Sequence, residues 1–183
     1  MNFLLYGANG YTGQLIAEMS AASGLKPILA GRNEEKIRAL AEQYGFEYRI
    51  FDLNDPAAVD KGLEGISVAL HTAGPFIHTA RPMMEACLRN RVHYLDITGE
   101  IDVFEMAHSF DTAAREAGIL LMRGARFDVV PTDCAALYLK NKLPDATHLR
   151  LAFASIGGGL SHGTALTMAE GLGQPGAERR NGR

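Results

Sequence analysis

Apolar and polar positions along this chain switch repeatedly between two patterns. "NFLLYGA" at 2–8 is an almost unbroken apolar run, as expected of a strand covered on both faces of a parallel sheet. Leu15, Ile16, Met19 and Ala22 follow at the spacing of one helical face, and Gly24 is placed to end that helix. "KPILAGR" predicts a second strand. Asn33 then predicts the N-cap of a helix that buries Ile37, Leu40, Ala41 and Tyr44 and closes at Gly45. "EYRIFDL" reads as a third strand, and Asp55 with Pro56 opens a short helix. "SVALHTAG" is a fourth strand, followed by the helix "RPMMEACLRN". "HYLDITG" is a fifth, followed by one helix through Val103, Ala107, Phe110, Ala114 and Ala117 that stops at Gly118. "GILLMRGA" is a sixth, and Thr132 predicts the cap of a helix to about Lys142.

Six strand–helix units in series predict an α/β fold, a doubly wound parallel sheet with helices on both faces, over residues 1–146. Ligands of such sheets lie at the carboxyl ends of the strands, so each loop that follows a strand is a candidate site. After Pro144 the pattern changes. "THLRLAFAS" alternates like one more strand, 155–183 holds eight glycines and few large apolar residues, and only Thr164 to Glu170 looks helical. Such a stretch cannot build a core by itself. Residues 147–183 therefore read either as a flexible terminus or as the start of an incomplete second α/β domain.

Composition narrows the function. The 183 residues suit one domain with a proper core. A net charge of −3 without a Lys/Arg run excludes nucleic acid as an expected partner. No segment approaches the roughly 20 apolar residues of a membrane span. The apolar opening is too short for a secretory signal, so a cytoplasmic protein is expected. Cys87 and Cys134 form no C-x-x-C pair and are expected as free thiols, each on the buried face of a helix.

The candidate chemistry starts at Gly7, Gly10 and Gly13, which lie between the first strand and the first helix. Glycine permits the tight turn and lets backbone N–H groups approach a phosphate, while the helix N-terminus adds positive charge. A dinucleotide pyrophosphate is the natural occupant; the alternative is a turn used only for packing. The spacing is G-x-x-G-x-x-G, with Ala8 where G-x-G-x-x-G has its first glycine. An NAD site places Asp or Glu at the end of the second strand, for the ribose 2′-OH. Here that strand ends "AGRN", with Arg32 suited in charge and shape to a 2′-phosphate and Asn33 beside it. NADP (NADPH) is therefore expected over NAD, the alternative for Arg32 being an ordinary exposed loop arginine. Glu34 and Glu35 fit as first-turn helix acids. Asp52 is placed to meet the adenine end. Ala73, Gly74, Pro75 and Phe76, in the small loop "TAGPF", are placed to lie along the nicotinamide ribose, unless that loop is a plain Gly-Pro turn.

"GANGYTG", "LAGRN", "TAGPF", "HYLDITGE" and "FDVVPTDC", in this order, resemble the saccharopine dehydrogenase-like NADP-binding oxidoreductases, a group that includes saccharopine reductases and trans-acting enoyl reductases. The last two motifs point toward the enoyl-reductase-like branch. The resemblance implies an NADP-binding Rossmann domain followed by a substrate domain, often in a homodimer. It implies that Gly7, Asn9, Gly10, Tyr11, Thr12 and Gly13 hold the pyrophosphate, that Arg32 and Asn33 hold the 2′-phosphate, and that Ala73 to Phe76 lie near the nicotinamide. It implies hydride transfer to or from a small or lipid-like substrate. It also implies a substrate domain that is cut short in this chain. Arg123 and Arg126 depart from the "PGVG" that commonly precedes "FDVVP" and add charge beside the expected cleft.

Other constellations carry less. Tyr138 and Lys142 match the Y-x-x-x-K pair of short-chain dehydrogenases, but no serine stands at the upstream distance those enzymes need. The six histidines form neither H-E-x-x-H nor an i, i+4 pair, so no metal site is expected. His71 and His93 lie in strands and read as hydrogen-bonded structural groups. Asp96, Glu100 and Asp128 are the acids nearest the expected cleft, either as substrate-orienting groups or as loop caps. No catalytic residue is assigned. A non-catalytic NADP-binding sensor or scaffold stands as a second reading, and an extended short-chain dehydrogenase as a third.

Overall fold

The computed structural model describes residues 2–152, 154, 156, 157, 159 and 162–173. In chain order the elements are β1 (Phe3–Tyr6), α1 (Tyr11–Ala22), β2 (Ile28–Gly31), α2 (Glu34–Tyr44), β3 (Tyr48–Ile50), α3 (Pro56–Gly62), β4 (Val68–His71), α4 (Phe76–Asn90), β5 (His93–Asp96), α5 (Ile101–Ser109), α6 (Asp111–Ala117), β6 (Leu121–Met122), α7 (Val130–Lys142) and α8 (His162–Glu170). The strands form one parallel sheet in the order β3-β2-β1-β4-β5-β6. This is the expected doubly wound α/β fold, and its strand order reverses between β1 and β4, where such sheets open a crevice.

Strand side chains alternate between two apolar layers. Leu5 and Leu29 join Ala8, Ala17, Ile37 and Ala41 under α1 and α2. Leu4, Tyr6, Ile28 and Ala30 join Met83, Met84, Tyr94 and Val103 on the opposite face. β1 and β2 are thus buried on both sides, which is why they read as continuous apolar runs.

The predicted helix ends hold at several points. The Asn33 side chain accepts from the Lys36 N–H, and Asp55 accepts from the N–H groups of Ala57 and Ala58. Gly45 and Gly118 take left-handed C-cap conformations, and Gly24 follows α1 at a φ of 70°.

The structure corrects other expectations. α1 buries Gly13, Ala17 and Ser20, while Leu15 and Met19 lie exposed, because the helix approaches the sheet too closely for large side chains. α4 begins at Phe76, five residues before "RPMMEACLRN", and carries Pro82 inside it. The single helix expected through Ala117 is broken at Phe110, which ends α5 and caps α6. Thr132 lies within α7, where its hydroxyl donates back to the carbonyls of Asp128 and Val129; Val129 is the N-cap. α7 buries no residue, so Cys134 is exposed, whereas Cys87 is buried as expected. The strand expected over 147–155 does not form among the described residues there; Phe153 and Ser155 lie outside them. The second domain expected over 147–183 falls partly outside the described residues. α8 covers the helical stretch expected from Thr164 to Glu170.

Gly62 closes α3 against the buried ring of Phe51, and a β-carbon there would lie 2.5 Å from a ring carbon. Helix propensity alone favours Gly62→Ala by roughly 1 kcal/mol, but overpacking against the buried Phe51 ring costs about 1–3 kcal/mol. Urea unfolding of Gly62→Ala is therefore expected to show a lower midpoint than wild type; a higher one would mean that Phe51 swings aside freely.

Candidate functional site

The glycine turn sits at the switch point. Gly7 follows β1 at a φ of 85°, a conformation that favours glycine. Its N–H donates to the carbonyl of Ala30 in β2 (2.8 Å), and a β-carbon on it would lie 2.7 Å from the Ala73 nitrogen after β4. Gly10 donates to the Gly7 carbonyl (2.9 Å). A β-carbon on Gly13 would overlap that same carbonyl oxygen and lie 2.7 Å from the Ala8 Cα. The turn is therefore backbone packed on backbone. Gly10 is also the N-cap of α1, no side chain caps its first turn, and no acid lies there. Tyr11 is exposed and Thr12 half-buried. An uncapped helix start facing a glycine-rich turn fits an anionic diphosphate in charge and in space.

The next strand ends carry polar groups. The Arg32 guanidinium lies 3.8 Å from the Asp52 carboxylate, and both side chains reach solvent. Asp52 also accepts from the backbone (2.8 Å) and the side chain (2.7 Å) of Asn54. The structure thus places Arg32 and Asp52 together at the β2 and β3 ends. The Asn33 carboxamide oxygen is engaged by Lys36 (3.0 Å), which leaves its amide N–H groups for other partners. Asn9 lies over Gly31: its Oδ1 is 3.1 Å from where a β-carbon on Gly31 would stand. Beneath these groups the Tyr6 hydroxyl donates to the Phe51 carbonyl (3.2 Å). Burial, reinforced by Asp52 and opposed by Arg32, pushes its pKa up to about 12.

The loop of Ala73, Gly74, Pro75 and Phe76 is held from three sides. Thr72 donates from its backbone N–H and its hydroxyl to the Tyr6 carbonyl, each at 2.9 Å. The Thr79 hydroxyl donates to the carbonyls of Ala73 (2.6 Å) and Pro75 (3.1 Å). Its single proton is thereby committed, so the buried His71, 3.0 Å away through Nε2, must donate to it. His71 is then the Nε2–H tautomer, and Nδ1 has no hydrogen-bond partner among the described residues. Finally, the Glu100 carboxylate accepts from the N–H groups of Phe76 (2.9 Å) and Ile77 (2.6 Å) and so caps α4 from another loop. The sequence reading placed Glu100 near the cleft without this contact, and it missed the His71–Thr79 pair.

The remaining acids bind their own fold. Asp96 is buried; it accepts from the N–H groups of Thr98 (3.0 Å) and Gly124 (2.8 Å) and from the Tyr94 hydroxyl (2.8 Å). Burial raises its pKa above the usual carboxylate value, against those hydrogen bonds. Asp128 pairs with Arg126, which lies over Gly99, and Arg123 lies over the Phe104 ring. His93 accepts from the Leu120 N–H (3.0 Å), the structural role expected of it. Tyr138 is exposed on α7 with the Lys142 ammonium over its ring, 5.7 Å from the centroid. Among the described residues no group of three or more His, Cys, Asp or Glu side chains is placed to hold a metal ion, and no helix is long and apolar enough to cross a membrane.

With this geometry in hand, residues 3–122 match the family described as saccharopine dehydrogenase NADP binding domain, and the chain belongs to that family. It is 26% identical to the saccharopine dehydrogenase-like oxidoreductase of Rattus norvegicus, over 97% of this chain and 47% of that protein. It is 32% identical to a trans-acting enoyl reductase of Mycobacterium leprae, over 72% of this chain and 34% of that protein. The chain thus spans less than half the length of these curated relatives. Among solved structures, the fold resembles a saccharopine dehydrogenase (L-Glu forming) from Saccharomyces cerevisiae, at a TM-score of 0.67 and 20% identity over 78% of this chain and 31% of that one. The chain therefore carries an NADP-binding domain, as the resemblance and Arg32 implied.

Two expectations test this geometry. Gly13→Ala puts a methyl group into backbone rather than into a movable side chain, so it should destabilise by about 1–3 kcal/mol and abolish cofactor binding. Unchanged urea unfolding and binding would show that α1 can withdraw from the turn. His71 has a pKa of about 3, lowered by burial from 6.5. The unfolded chain therefore binds the proton first, and the stability held by neutral His71 is lost as pH falls between these two values. His71→Gln keeps a donor toward Thr79 but cannot titrate, so its unfolding free energy should decline less steeply than wild type below about pH 6.5. Parallel declines would assign the acid sensitivity elsewhere.

Proposed function

We propose that this chain is the cofactor-holding part of an NADP-dependent oxidoreductase that moves a hydride to or from a small or lipid-like substrate. The observation that carries this reading is the pairing of two features at one sheet edge: a glycine-rich turn before an uncapped helix, and an arginine at the β2 end where an NAD site keeps an acid. On this reading Gly7, Asn9, Gly10, Tyr11, Thr12 and Gly13 hold the pyrophosphate, and Arg32 with the Asn33 amide faces the 2′-phosphate. Asp52 borders the adenine end, and Ala73, Gly74, Pro75 and Phe76 lie along the nicotinamide ribose. The cofactor, when bound, supplies the hydride. The protein supplies position: Thr79 and Glu100 fix the loop from 73 to 77, and the turn fixes the phosphates. A homodimer in the cytoplasm acting on a small-molecule substrate completes the proposal.

A second reading, a protein that binds NADP without turnover, is favoured by one observation. Asp96, Glu100 and Asp128, the acids nearest the edge, are all committed to internal bonds. NADPH consumption by the complete protein with candidate substrates separates the two readings, since a sensor binds the cofactor and leaves it reduced.

The cofactor assignment has a direct test in nicotinamide fluorescence. The chain is expected to bind NADPH more tightly than NADH, and Arg32→Ala to weaken NADPH by roughly tenfold or more while sparing NADH. Equal affinity for both cofactors in wild type would remove the basis for NADP.

A further inference from the structure

We infer that Lys36 is the second cation of the 2′-phosphate subsite, so that Arg32 meets the phosphate from the β3 side and Lys36 from the α1 side. This rests on the cofactor reading above and names a residue that the reading leaves out. A cleft of about 340 Å³ opens between α1 and α2, lined by Asn9, Gln14, Lys36, Ala39, Leu40 and Gln43. It adjoins the end of β2, because Asn9 both lines it and lies over Gly31, the residue before Arg32. The three cations from Arg32 to Arg38, of which Lys36 lines the cleft, differ in what they are doing. Arg32 is held toward β3 by Asp52, and Arg38 is 4.0 Å from Glu34 on its own helix. The Lys36 ammonium has no carboxylate partner among the described residues.

Charge and anchorage both favour this assignment. A guanidinium shared with Asp52 neutralises a phosphate only in part, and a second positive charge corrects the balance. Lysine suits this place: it is a mobile point charge on a long stem, able to reach an oxygen that the planar arginine does not engage. The Asn33 side chain, which the sequence placed at the phosphate, accepts the Lys36 N–H through its oxygen and fixes the turn from which the lysine projects.

The test compares wild type, Lys36→Gln, Lys36→Arg and Arg32→Ala in titrations with NADPH and with NADH. Lys36→Gln is expected to weaken NADPH about tenfold and leave NADH within about twofold, with Lys36→Arg retaining the preference, on the scale of one charge-assisted hydrogen bond. NADH affinity also reports that the exposed substitution leaves the fold intact. If Lys36→Gln binds NADPH like wild type while Arg32→Ala loses it, the inference is overturned and the cofactor reading survives. Equal weakening of both cofactors by Lys36→Gln overturns it too, since the lysine would then act away from the 2′ position. A wild-type chain with no preference for NADPH overturns the inference together with the reading beneath it.

Discussion

The backbone of the turn after β1 touches three neighbours at once, and none of those contacts tolerates a side chain. Gly7 faces β2 through its N–H and lies against Ala73 across the switch point, while Gly13 brings the first turn of α1 onto the Gly7 carbonyl. This approach decides what α1 can bury. Its buried positions are Gly13, Ala17 and Ser20, Ile16 packs at the edge of that face, and Leu15 and Met19 turn outward. The same closeness leaves the helix N-terminus uncapped by any side chain and aimed into the crevice. On the proposed reading, packing and cofactor recognition therefore use the same atoms, and a change at these glycines acts on both.

On the other side of the switch point the edge is organised by carboxylates. Asp96 ties the loops after β5 and β6 to each other, and Glu100 ties the loop after β5 to the start of α4. Burying a carboxylate is costly unless its oxygens are fully engaged. Asp96 meets that condition with two backbone N–H groups and a tyrosine hydroxyl, although burial still raises its pKa. Glu100 is the more economical device: one side chain satisfies two of the N–H groups that a helix start leaves unpaired. Since α4 begins directly after Gly74 and Pro75, this contact sets where the loop from Ala73 to Phe76 can lie.

The periodicity of the sequence exposed the sheet because β1 and β2 are apolar on both faces, a pattern that few other arrangements produce. It failed at α1, where Leu15 and Met19 have the right spacing for burial and the wrong face. Spacing says which residues share a face, and only the close approach at Gly13 says which face is inward. α4 was read late because its first turn is capped by a residue 24 positions away, which leaves no local cap to recognise. Of the site, the glycines and Arg32 were legible because backbone conformation and charge are written in residue type. The roles of Asn33, His71 and Glu100 were not, since each depends on a partner that the chain brings close only by folding.

These features divide the carboxyl edge into two parts with different physics. At the ends of β2 and β3 the charged groups are exposed and loosely held, with Arg32 and Asp52 separated by 3.8 Å and open to solvent. Ion pairs of this kind contribute little to stability, so an incoming phosphate competes with Asp52 at small cost. At the ends of β4, β5 and β6, by contrast, Asp96, Glu100 and His71 Nε2 are held by hydrogen bonds within the fold, while His71 Nδ1 has no partner among the described residues. The first part is arranged to accept a charged ligand and the second to hold a loop still. On the proposed reading, hydride transfer asks the protein for that combination, because its rate depends on how steadily the nicotinamide ring is placed and needs no side-chain nucleophile. The engagement of Asp96, Glu100 and Asp128 within the fold is thus compatible with catalysis as well as with sensing. The choice between them turns on what faces the loop from Ala73 to Phe76.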